Sequence, residues 1–117
     1  MAAIKIESID DGEAVLLRLS GCVDASTYGT LEDTLYRLFS RGENKIIAEM
    51  SELEYMSCAG AGVFIDAMSK AQANRGNVVL LNPAPNVREM FETLGLTEEL
   101  NVVDDRAHAL RLLKPAM

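Results

Sequence analysis

Ser57 and Cys58 stand side by side in the stretch YMSCAGAGVF, Tyr55 to Phe64, with Gly60 and Gly62 close behind. At the start of a helix, a hydroxyl and a thiol meet unpaired backbone N–H groups whose partial positive charge stabilises an anion. Four kinds of chemistry fit these residue types. Ser57 can be an N-cap, with Cys58 as a small packing residue and the glycines allowing close helix–sheet approach. The glycines can open a phosphate cradle, but the third glycine of G-x-G-x-x-G and the Lys-Ser/Thr ending of a P-loop are both missing. Cys58 can be a thiolate nucleophile, for which the single histidine, His108, is the only imidazole base in the chain. Ser57 can instead be a regulated hydroxyl, where a phosphate adds about -1.5 to -2 charges and three acceptor oxygens.

The whole chain narrows the partners these residues could serve. With 18 acidic against 11 basic residues, the net charge is -7, which disfavours binding to nucleic acid or an anionic membrane. A protein partner or a small ligand remains. The 117 residues, 49% of them hydrophobic, fit one globular domain spanning 1–117. No run approaches the roughly 20 apolar residues of a membrane helix. The start, MAAIKIESIDD, lacks a basic segment followed by an apolar one, so a soluble, cytoplasmic protein is expected. Cys22 and Cys58 form no C-x-x-C pair and no histidine cluster accompanies them, so neither a metal nor a cofactor is expected. Asp10 and Asp11 read as a solvated turn.

The elements that must position the stretch follow from periodicity. Ile4 to Ile9 and Ala14 to Ser20 read as a β-hairpin turned by Asp10, Asp11 and Gly12. Tyr28, Leu31, Leu35, Leu38 and Phe39 recur at helical spacing before Gly42. Lys45 to Met50 reads as a strand covered on both faces, followed by a loop over Ser51 to Met56. A second helix carries Val63, Phe64, Ala67, Met68 and Ala71 on one face and ends at Gly76. Asn77 to Leu81 is a further buried strand. Val87, Met90, Phe91 and Leu94 form a short helical stripe ended by Gly95. A weak strand near Leu100 to Val103 and a helix capped by Asp104 or Asp105, with His108 on it and Lys114 on its polar side, complete the chain. A hairpin followed by alternating helices and strands calls for an α/β fold, a mostly parallel mixed sheet with right-handed crossovers. In such sheets, sites form where strand carboxyl ends meet helix amino ends, and YMSCAGAGVF lies at such a junction.

With the order and spacing of these pieces in view, the chain resembles the STAS domain family, of the anti-sigma factor antagonist type. The resemblance is carried by Gly21 to Asp24 (G-x-V-D), the strand Lys45 to Met50, MSCAGAGV at Met56 to Val63, NVVLLNPAPNV at Asn77 to Val87, and LGL at Leu94 to Leu96. It implies a small domain with about four helices mainly on one face of the sheet, acting by binding proteins and not as an enzyme. The implied partner is an anti-sigma factor that is also a serine kinase of the histidine-kinase-like ATPase type. Phosphorylation breaks that complex and a serine phosphatase restores it.

The resemblance places the partner surface on Asp24, Met56, Ser57, Cys58, Ala59, Gly60, Ala61 and Gly62, with Glu54 at its rim. The common family motif reads Asp-Ser-Ser-Gly-x-Gly with the second serine phosphorylated, which matched on the glycines falls on Ala59. Family members with Ser-Ser-Ala-Gly put the hydroxyl where Cys58 stands. Either way Ser57 is the nearest hydroxyl and the phosphoacceptor candidate, although a kinase's in-line geometry does not automatically accept a displaced group. Two other readings stay open: a phosphorylation-independent STAS subunit of a transporter or sensory complex, and a small thiol enzyme using Cys58.

Overall fold

The computed structural model describes residues 2–9, 14–96 and 100–113. Among them the chain runs β1 (Ala2–Ile9), β2 (Ala14–Val23), α1 (Tyr28–Ser40), β3 (Lys45–Met56), α2 (Cys58–Ala73), β4 (Asn77–Leu81), α3 (Pro85–Thr93), β5 (Asn101–Val103) and α4 (Arg106–Leu113). The five strands form one sheet in the order β1-β2-β3-β4-β5. β1 pairs antiparallel with β2, and the remaining pairs are parallel, as the hairpin followed by alternating elements predicts. The hairpin turn Asp10 to Gly12 and Lys114 lie outside the described residues.

Strand alternation sorts the apolar side chains into two cores. Val15, Leu17 and Leu19 of β2, Ile46 and Ala48 of β3, and Val78 and Leu80 of β4 face α1, α2 and α3, meeting Leu31, Leu35, Leu38, Phe64 and Phe91. Ala14, Leu16, Ile47, Val79, Leu81 and Val103 face the other way and are covered by Ala109 and Leu113 of α4. Three helices therefore lie on one face and one on the other. Each fully buried Leu, Ile or Phe contributes about 1.5–3 kcal/mol, so the three-helix face holds most of the packing. α4 starts at the Asp105 cap, whose carboxylate accepts the His108 N–H at 2.7 Å.

One element differs from the sequence reading. The expected loop Ser51 to Met56 is the second half of β3, which pairs with the end of β2 from Ser20 to Val23. Register shifts between Arg18 and Ser20 and between Gly21 and Cys22 twist this half, so Met50, Leu53 and Met56 are buried at intervals of three. That spacing is neither the two of a flat strand nor the helical period, and so it reads as irregular.

Candidate partner-docking site

The carboxyl ends of β2 and β3 deliver two junctions to one place. Ser57 donates its backbone N–H to Val23 O at 2.8 Å, tying the start of α2 to the end of β2. The β2–α1 junction is shaped by Asp24, whose carboxylate accepts Ser26 N–H at 2.9 Å and Ser26 Oγ–H at 2.7 Å and lies 3.2 Å from the Thr27 hydroxyl. Thr27 Oγ1 in turn donates to Cys22 O at 2.8 Å and accepts Asp24 N–H at 2.9 Å. The bonds to the carboxylate favour its charged form, and the Ser26 hydroxyl above all holds the Asp24 pKa below the ordinary carboxylate value.

The first turn of α2 divides the expected surface residues into two sets. Cys58 and Gly62 are exposed and Ala59 is partly exposed, so these three face solvent at the helix end that Ser57 ties to Val23. Met56, Gly60 and Ala61 are buried, Met56 and Ala61 being each 1% exposed, which corrects their expected place on the surface. Their inward position has a steric cause. A Cβ on Gly60 would stand 2.7 Å from Val23 Cγ1 and 2.9 Å from Met56 Cγ, so only glycine lets α2 settle on the ends of β2 and β3. A Cβ on Gly62 would meet nothing within 4 Å. The two glycines that look alike in sequence therefore do different things: one packs the helix down and the other leaves a bare patch outside.

Ser57 occupies the N-cap with extended backbone (φ -88°, ψ 172°), but its side chain makes no capping bond. Its Oγ is buried and has no hydrogen-bond partner among the described residues. The expected cap bond is absent because the hydroxyl turns inward. A buried hydroxyl without a partner costs about 1–3 kcal/mol, so no polar contact holds this side chain in place. The N–H groups of the first turn of α2 are left without side-chain acceptors from Ser57.

A shallow groove of about 310 Å³ runs from Cys58 to α3, lined by Asn86, Glu89, Met90, Thr93 and Leu94. Asn86 anchors this helix by donating its side-chain amide to Glu54 O at the end of β3. The groove was missed in sequence because Met90 and Leu94 share the spacing of the buried Val87 and Phe91; Leu94, just past the end of α3, is instead 42% exposed. The structure does not bring Cys58 and His108 together: Cys58 opens α2 on the three-helix face, and His108 is exposed on α4, which packs on the other. The imidazole base weighed for a Cys58 nucleophile is therefore not beside it.

A STAS domain model matches residues 3–109. BtrV of Bordetella bronchiseptica, named as a candidate anti-sigma factor antagonist, is 29% identical over 99 residues, covering 85% of each chain. An anti-sigma F factor antagonist of Lysinibacillus sphaericus is 29% identical over 85 residues, 72% of this chain and 73% of the relative. Among solved structures, an anti-sigma factor antagonist from Mycobacterium paratuberculosis superposes with a TM-score of 0.84 at 16% identity, covering 97% and 94% of the two chains. No helix among the described residues is long and apolar enough to cross a membrane. The family model spans the segments from Gly21 through Leu96 that carry the resemblance, and the chain belongs to the STAS domain family.

Proposed function

We propose that this chain is an anti-sigma factor antagonist of the cytoplasm, binding an anti-sigma factor and thereby freeing a sigma factor. The observation that supports this most is the bare first turn of α2, where Cys58, Ala59 and Gly62 stand open at the end tied to Val23. A patch without side-chain bulk admits a partner's backbone or a long side chain at close range. The adjoining groove offers the apolar Met90 and Leu94 with Glu89 among them, a mixture suited to a partner contact. The partner expected is a serine kinase of the histidine-kinase-like ATPase type, with a serine phosphatase acting in the opposite direction.

A phosphate on Ser57 would require the hydroxyl to rotate outward, and it would then lie at the amino end of α2, where backbone N–H groups favour an anion. The covered Ser57 Oγ favours a second reading, a constitutive binder whose switch is absent. Both readings are separable. Tagged protein expressed in its native cell should retain an anti-sigma factor identifiable by mass spectrometry; recovery of none sinks the proposed function. With that partner purified, incubation with ATP followed by intact-mass measurement should show one added phosphate, lost in Ser57→Ala, if the switch is present. An unchanged mass assigns the chain to constitutive binding.

A further inference from the structure

β1 is an outer strand: β2 pairs with one edge, and no strand among the described residues pairs with the other. The free edge carries a row of backbone N–H and C=O groups, a template for an added strand. Proteins commonly block such an edge with charge. Here the charges are Lys5 and Glu7, both exposed, flanking Ile6, which is 55% exposed. Alternation puts Lys5 and Glu7 on one face and Ile6 on the other. Lys5 sits directly opposite Arg18 of β2, a cation facing a cation, while Glu7 takes Arg18 as its own ion-pair partner at 3.2 Å. Among the described residues Lys5 has no ion pair.

We infer that the free edge of β1 pairs antiparallel with β1 of a second copy of this chain, about a two-fold axis through Ile6. In that register Lys5 of each copy faces Glu7 of the other, Ile6 meets Ile6 on the opposite face, and Ile4 faces Ser8. The two sheets join into one. Parallel pairing would instead set Lys5 on Lys5 and Glu7 on Glu7, so the charge pattern selects the antiparallel arrangement. The carboxylate that Lys5 lacks among the described residues of its own chain is supplied by the copy. An interface built on one strand is at the small end of the range, so the association is weak and concentration-dependent. β1 carries none of the docking-site residues, and this inference stands apart from the proposed function.

Sedimentation equilibrium of the full chain from about 1 μM to 1 mM should show a monomer–dimer equilibrium. Lys5→Glu puts like charges opposite each other in both symmetric positions and should weaken the dimer by about tenfold or more. It also removes the cation facing Arg18, so the fold is kept, which thermal melting checks. The double exchange Lys5→Glu with Glu7→Lys restores opposite charges and should bring the dimer back to within about threefold of the original. The register is read by Ile6→Cys in a Cys58→Ser background, which should oxidise to a disulfide-linked dimer, because directly opposite strand residues fall within disulfide range. A wild type that stays monomeric, a dimer indifferent to Lys5→Glu, or a double exchange as weak as the single one would overturn the inference.

Discussion

The two ends of α2 are finished in opposite ways. At the carboxyl end, Gly76 N–H donates to Ala71 O at 2.8 Å, Asn74 Nδ2 donates to Lys70 O at 2.9 Å, and Asn77 N–H donates to Asn44 O at 2.9 Å. The first two satisfy carbonyls in the last turns of the helix itself, and the third ties the segment that follows it to the connection before β3. At the amino end Ser57 declines its capping bond, Cys58 and Gly62 are exposed, and a groove opens toward α3. One end is completed from within the molecule, and the other is the end proposed to receive a partner.

Substitutions at matched positions on the two ends should break this contrast if it is wrong. The largest effect is expected at Gly76, where a Cβ would stand 1.8 Å from the Asn44 carbonyl oxygen, a backbone atom that cannot swing away. Gly76→Ala should cost about 3 kcal/mol or more, visible as a fall of roughly 10 °C or more in Tm. At the amino end, Gly60→Ala meets side-chain atoms of Val23 and Met56 and should cost about 1–3 kcal/mol. Urea denaturation would separate these two, and a Gly60→Ala protein as stable as wild type would show that the helix does not rest on β2 and β3 as described.

Two smaller effects sharpen the comparison. Arg75 adopts a positive φ of 64° at the carboxyl end, a conformation that favours glycine. Arg75→Gly should therefore gain up to about 1 kcal/mol, measured by the same denaturation. Near the docking turn, the depressed pKa of Asp24 means that the folded loop binds its proton less readily than the unfolded chain. Its stabilisation is thus complete above the ordinary carboxylate value of 3.8 and is lost as pH falls through the lower folded value. Amide shifts of Ser26 and Thr27 followed by NMR should titrate below pH 3.8, and titration above it would contradict the bonding pattern.

The sequence carried the architecture well because burial on a regular element leaves a regular period. Leu31, Leu35 and Leu38 announce α1, and the run Val78 to Leu81 announces a strand covered on both sides. Where the backbone is irregular the period fails, and the bulged pairing opposite Ser51 to Met56 concealed half of β3. The site was legible as a place but not as a surface. Strand-to-helix order located Ser57 to Gly62, yet only packing shows that Met56, Gly60 and Ala61 face inward while Cys58 and Gly62 face out. The orientation of the Ser57 hydroxyl depends on a single χ1 torsion, and no sequence pattern encodes it.

The open turn of α2 as the partner surface is tested most directly by Gly62→Arg. The position is exposed with nothing within 4 Å of a Cβ, so the substitution should leave Tm unchanged or slightly raised by helix propensity. Isothermal titration against the anti-sigma factor recovered from the native cell should show affinity reduced by about a hundredfold or more, because a long charged side chain then fills the contact. Wild-type affinity in a folded Gly62→Arg protein would contradict the account and move the docking surface elsewhere on the molecule.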